Sequence, residues 1–188
     1  MTVLNVTNIA PRPNTSYDPT AGKPYEDLVS NWFNNAGVYT FAPLQHLKRS
    51  EMSARQTDLC FSWSKNYVGR MEVKSRYSPP GKTIWSYPSI LVGNVKKVVC
   101  KVPQIDCLVV VCQRTGQACA TRADRKTIAA KWLVRNGSYE VPISAFSHLE
   151  SVVKYIKSVK TYFEFWELYE ASQRANEKAI YNALEDLY

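Results

Sequence analysis

The sequence predicts an α/β protein with a central mixed sheet flanked by helices, and three observations predict it. The run "CLVVVC" at 107–112 is unbroken and β-branched, the pattern of a strand covered on both faces. Two alternating runs, "DLCFSW" at 58–63 and "YVGRMEVK" at 67–74, read as an antiparallel hairpin across Ser64, Lys65 and Asn66. Amphipathic helical patterns precede and follow these strands. The core order is α-β-β-β-α-β, with helical additions.

Residues 1–23 are rich in Pro, Asn and Thr and read as a flexible arm. Pro24 then opens a helix at an N1-like position. Glu26 and Asp27 sit in its first turn, Leu28, Val29, Trp32 and Phe33 form its apolar face, and Gly37 stops it. "VYTF" is a short strand, followed by a basic loop, "LQHLKRSEMSAR", and then the hairpin. "YSPPGKTIWSYPS" is a breaker-rich loop, and "ILVGNVKKVVCK" joins an extended piece to a helix over 94–101. "QACATRA" pairs beside the central strand. "DRKTIAAKWLVRN" reads as a helix, "YEVPISAF" as a strand, and "SHLESVVKYIKSV" as a helix capped by Ser147. From Tyr162 a long acidic helix runs nearly to the end, its Tyr162, Trp166, Tyr169, Ile180, Leu184 and Leu187 near one stripe. The chain thus divides into an arm (1–23), an α/β domain (24–160) and a C-terminal helix (161–188).

A chain of 188 residues is long enough for one domain with a real core. No apolar run approaches the roughly 18 residues that would cross a bilayer, so no membrane partner is expected. The N-terminal "MTVLNVTNIAPRPNTS" has neither the basic nor the apolar region of a secretory signal. The chain has five cysteines, an odd number, without C-x-x-C spacing. That fits a reduced, cytoplasmic protein (host cytoplasm, if phage-encoded) better than a disulfide framework. With only two histidines, His46 and His148, zinc is disfavoured.

Charge is uneven. Of 24 Lys/Arg and 16 Asp/Glu, residues 161–188 hold two and six, which leaves 22 and 10 on residues 1–160. A body of +12 points to a polyanion such as nucleic acid, with plain solubility charge as the competing reading. The acidic C-terminal helix beside it reads either as packing on the core or as a homodimer or partner-docking arm.

The hairpin carries the chemistry. Pairing Trp63 with Tyr67 sets Asp58 opposite Glu72. One face then carries Leu59, Phe61, Trp63, Tyr67, Met71 and Val73, and the other Asp58, Cys60, Ser62, Arg70, Glu72 and Lys74. Facing carboxylates repel, so a purely structural sheet seldom places them together without a cation between them. Carboxylate oxygens are the hard donors that Mg²⁺ and Mn²⁺ prefer.

An acidic residue on the first helix (Glu26), an aspartate at a hairpin (Asp58) and E-x-K on the next strand (Glu72, Lys74) resemble the PD-(D/E)XK, restriction-endonuclease-like nucleases. The resemblance covers roughly residues 24–113 and extends more weakly to about 160. Thr57 stands where the family's pattern has a proline that shapes the backbone. The resemblance implies a restriction-endonuclease-like αβββαβ core and a Mg- or Mn-dependent endonuclease acting on DNA, of the small kind carried by phages and mobile elements. It implies that Asp58, Glu72 and the carbonyl of Val73 hold a metal, that Glu26 supports a second metal or an outer-shell water, and that Lys74 positions the attacking water.

Around this motif, Arg76, Tyr77, Lys82 and Trp85 are candidates to contact phosphates and stack on bases, against the reading of an ordinary loop with Trp85 in the core. Asn94 and Lys97 stand where a second helix of such nucleases adds polar groups, while Lys96 equally suits a solvated helix face. Arg122, Arg125, Lys126, Lys131 and Arg135 read as a solvent face. An RNA-directed nuclease of the same chemistry, or a catalytically silent nucleic-acid-binding or structural protein that keeps the fold, are the alternatives.

Overall fold

The computed structural model describes residues 2–11, 21–41, 58–64, 67–82, 84–94, 105–123 and 125–158. Its elements are β1 (Thr2–Val3), α1 (Lys23–Asn35), β2 (Tyr39–Phe41), β3 (Leu59–Ser64), β4 (Tyr67–Arg76), β5 (Ser89–Asn94), β6 (Cys107–Cys112), β7 (Gln117–Arg122), α2 (Arg125–Lys131), β8 (Leu133–Arg135), β9 (Ser138–Pro142) and α3 (Leu149–Ser158). The basic loop with His46, the 95–104 stretch and the C-terminal segment from residue 159 lie outside the described residues. No described helix is long and apolar enough to cross a membrane.

The central sheet is mixed and six-stranded, in the order β1-β7-β6-β4-β3-β2. Only β4 and β6 run parallel, from Met71↔Cys107 to Arg76↔Cys112. Every residue of β6 is buried, as its β-branched run requires. Strand alternation then sorts two cores. Met71, Val73, Val109 and Val111 face α1 and α3, where Val29, Phe33, Leu149, Val152 and Ile156 close one layer. Leu108, Val110 and Cys112 face the other way, against β5, α2, β9 and Trp132.

The second core exists because β5, β9 and β8 form a small antiparallel sheet that the sequence reading did not foresee. Residues 133–135, expected to continue a helix, form β8 and pair with β9. Asn136 (φ 50) and Gly137 (φ 70) make the tight reversal between them, the left-handed pair that an Asn-Gly hairpin favours. Likewise 89–94 is strand throughout, so Asn94 ends β5 where a helix was expected to begin, and the rest of that expected helix lies outside the described residues.

The expected flexible arm is also corrected at its start. Thr2 and Val3 pair with Ala118 and Gln117 as the sheet's far edge, and Leu4 is buried in the first core. Gly116 (φ +67) permits this docking: its carbonyl accepts from the Leu4 N–H at 2.8 Å, and a Cβ there would meet the Leu4 oxygen at 1.9 Å. Thr2 also replaces Ser147 as the capping group of α3. Its hydroxyl accepts from the Leu149 N–H at 3.3 Å and donates to Glu150 at 2.8 Å, while Ser147 bridges the backbone of Ala120.

In the hairpin, Leu59↔Met71, Cys60↔Arg70 and Phe61↔Gly69 keep the expected register. It slips by one at the tip, where Ser64, not Trp63, pairs with Tyr67. Gly69 lies beneath the Phe61 ring, and a Cβ there would come within 2.1 Å of it. Gly69→Ala should therefore cost about 1–3 kcal/mol of overpacking, read as a lowered denaturation midpoint with an unchanged m-value.

Cys60, Cys107, Cys112 and Cys119 are buried thiols outside any disulfide. Burial pushes Cys119 up to about 11 and raises Cys107 as well. Thiolate is the reactive form, so iodoacetamide at pH 8 should leave all four unmodified in the folded protein and label them after denaturation, as mass spectrometry would count.

Candidate active site

Strand β4 outruns β3. Where β3 begins, the next ladder N–H of β4, that of Val73, has lost its strand partner, and Asp58 supplies one: Oδ2 accepts from Val73 N at 2.8 Å. This satisfies the backbone and holds the Asp58 carboxylate in the notch at the strand end. The N–H and C=O of a strand residue point the same way, so the Val73 carbonyl opens toward the same notch.

Glu72 and Lys74 alternate onto one face of β4, opposite Met71 and Val73. Lys74 Nζ donates to Glu72 Oε1 and stands 3.9 Å from Asp58 Oδ2. The Glu72 side chain is only 5% exposed, whereas Asp58 and Lys74 are at 22% and 31%. Burial works against the Lys74 ammonium, but Glu72 and then Asp58 outweigh it and hold its pKa above the ordinary value. The ammonium is thus the counter-charge for both carboxylates.

Glu26 reaches the same field from the first turn of α1, beneath which Tyr25, Val29 and Phe33 anchor the helix at four-residue spacing. Its carboxyl pKa is raised, first by burial, then by the negative charge of Asp58, with Asp27 and Glu72 adding and Lys23 opposing. Lys23 lies 3.7 Å from Glu26 and 2.8 Å from Asp27. The structure therefore brings Asp58, Glu72 and Lys74 together around Val73, with Glu26 near enough to feel the charge of Asp58 and Glu72.

The surrounding candidates scatter. The Arg76 guanidinium faces the protein's own backbone, donating to Leu91 O at 3.1 and 2.8 Å, to Val92 O at 3.3 Å and to Ser75 O at 3.2 Å. It ties β4 to β5 and is correspondingly ill placed to hold a phosphate. Tyr77 is half-buried just beyond β4, and Lys82 is exposed in the turn closed by its N–H to Pro79 O at 3.1 Å. Trp85 packs edge to face on Phe146 at 5.7 Å, against the second core, with its Nε1 buried. That packing matches the reading of Trp85 as a core residue. Asn94 ends β5 without a described side chain, and Lys97 lies outside the described residues.

Sequence reasoning passed over two aromatics. Tyr39 and Phe41 pair with Ser62 and Cys60, so they share the sheet face of Arg70, Glu72 and Lys74. Their rings stack at 5.8 Å and 26°, and Tyr39 is 64% exposed. The signal was available in "VYTF", whose alternation places both rings on one side of a strand.

Among the described residues no three His, Cys, Asp or Glu side chains form a ready-made metal cage. The donors that do meet, two carboxylates and a backbone carbonyl, are hard oxygens, and Mg²⁺ takes few protein ligands because it keeps waters and binds substrate phosphates. That donor set fits Mg²⁺ or Mn²⁺.

No protein-family model matches the chain, and none of the curated proteins matches it. Among solved structures it is similar to Hjc, a Holliday junction resolvase of the archaeal hyperthermophile Archaeoglobus fulgidus, at 10% identity and a TM-score of 0.47, over 71% of this chain and 98% of that one. A likeness of that size leaves the architecture, an α/β fold on a central mixed sheet, to rest on the chain's own strand order and register.

Proposed function

We propose that the chain is a Mg²⁺- or Mn²⁺-dependent nuclease that hydrolyses phosphodiester bonds of DNA, as its resemblance to PD-(D/E)XK nucleases implies. The observation that carries this reading is the meeting of Asp58, Glu72 and Lys74 at the notch where β4 outruns β3, within electrostatic reach of Glu26. The carboxylates repel one another, and one ammonium does not neutralise them. A divalent cation does.

Asp58, Glu72 and the Val73 carbonyl would hold the ion, and Glu26 would serve a second ion or a water in its outer shell. Once bound, the ion supplies Lewis-acid polarisation of the phosphate and a lowered pKa for water. The protein's own groups do the rest. Val73 N–H fixes the Asp58 carboxylate, so this ligand needs no reorganisation. Glu72 fixes the Lys74 ammonium at the rim, where it orients the attacking water and offsets charge building on the phosphate oxygens. No covalent intermediate is required, since the described cysteines are buried.

The test is cleavage of duplex, branched and single-stranded DNA, and of RNA, with Mg²⁺ or Mn²⁺ and with EDTA. Metal-dependent cutting is expected, and EDTA should abolish it. If no substrate is cut with either ion, the silent binder replaces the nuclease. Binding should also weaken with salt: neutralising several phosphates loses roughly tenfold or more in affinity between about 50 and 200 mM salt, through counterion release. An affinity flat across that range would mean that the +12 body is only solubility charge.

A further inference from the structure

We propose that Tyr39 and Phe41 form a stacking platform for an unpaired nucleobase beside the carboxylate notch, so that the substrate is a single strand or the unpaired arm of a branched duplex. This rests on the nuclease reading and narrows its substrate.

Three features of the edge strand carry it. The first is the geometry of the pair. Trp32–Phe33, Trp85–Phe146 and Trp132–Tyr139 cross edge to face at 79°, 68° and 76°, as rings filling a core do. Tyr39 and Phe41 are nearly parallel at 26°, and Tyr39 remains 64% exposed. Tyr39 is the exposed member of the pair, and Phe41, half-buried, backs it. The second is position. Among the described residues β2 is the outermost strand of the sheet. The third is what shares the face. Phe41 pairs with Cys60, and Cys60 with Arg70, so Arg70 stands in the row between the rings and Glu72. Two strand spacings, roughly 10 Å, separate β2 from β4. A base lying on the rings would thus lead its sugar-phosphate across Arg70 toward Lys74 and the carboxylates.

An exposed tyrosine by itself means little, since single surface aromatics are ordinary. A stacked pair on the catalytic face of a basic body is different: aromatic rings offer sequence-tolerant stacking for unpaired bases, while bases inside a continuous duplex are already stacked on each other.

The experiment reads binding in EDTA, where nothing is cut, using the full chain. The probes are a single-stranded oligonucleotide carrying 2-aminopurine and a blunt duplex of the same sequence. Tyr39→Ala should weaken single-strand binding roughly tenfold, the effect of one lost base–aromatic stack, and abolish the 2-aminopurine quenching. Duplex affinity should be unchanged, and Tyr39→Trp should restore both signals. Unchanged single-strand binding in Tyr39→Ala, or an equal loss for duplex, overturns the platform. Cleavage by the wild type with Mg²⁺ is measured separately, so a protein that cuts but shows no ring-dependent binding loses the platform and keeps the nuclease. A protein that stacks the base but never cuts keeps the platform and loses the nuclease.

Discussion

Glu72→Gln should abolish metal-dependent cleavage, by roughly a thousandfold or more, while the protein stays folded. Loss of an anionic metal ligand removes several kcal/mol of transition-state stabilisation, at about 1.4 kcal/mol per tenfold in rate. Glutamine keeps the volume of the buried side chain and an oxygen that can still accept from Lys74. Asp58→Asn should behave in the same way, since its side-chain oxygen can still accept the Val73 N–H. Both variants need side-by-side melting and cleavage measurements. Full activity in either would remove that carboxylate from the metal site.

Alanine at these positions is a poorer probe. From the sequence alone, deleting one of two facing carboxylates should leave stability unchanged or raise it slightly, because repulsion is relieved. The structure reverses that sign for Glu72. The Lys74 ammonium lies against it, and removing Glu72 leaves a partly buried cation with Asp58 at 3.9 Å.

The same pair sets the second large effect. Lys74→Met should lose cleavage and also destabilise the fold by about 3 kcal/mol, the low end for breaking a buried ion pair because Lys74 is partly exposed. For a chain of this size that is a fall of roughly 6–12 °C in melting temperature. The cause is Glu72, which at 5% exposure loses the Lys74 ammonium beside it. Combining Lys74→Met with Glu72→Gln should recover much of the stability and none of the activity, a coupling that a double-mutant cycle reads directly. If Lys74→Met melts with the wild type, Glu72 is compensated by something other than Lys74.

The hairpin was legible in the sequence because its alternation is almost complete. A one-residue slip would turn Leu59, Phe61, Met71 and Val73 out of the core, so the pattern admits one register. With the register came the convergence of Asp58, Glu72 and Lys74, and the first-turn position of Glu26 followed from Pro24. What failed was local chemistry overruled by distant partners. "LVRNGSYEV" carries an Asn-Gly turn signal, but the apolar spacing upstream made the segment look like the end of a helix. Thr2 and Val3 are too short a strand to show periodicity, and their pairing with β7 spans most of the chain. Arg76 looked like a phosphate ligand because a basic residue after E-x-K fits a substrate channel. Its Leu91 and Val92 carbonyl partners belong to a small sheet whose existence depends on the missed turn.

The fastening of Thr2 has a consequence for the order in which the molecule assembles. Its hydrogen bond to Glu150 joins residues 148 apart in sequence. Loop closure of that span brings a large entropic cost before any contact rewards it, and such non-local contacts slow folding. On the ribosome the first residues emerge early but have nothing to pair with until β6, β7 and the start of α3 have followed. The hairpin, whose strands are adjacent in sequence, can form long before. The carboxylate notch is therefore expected to take shape early and the far edge of the sheet to close last, with β1 the last strand to gain protection from hydrogen exchange during refolding.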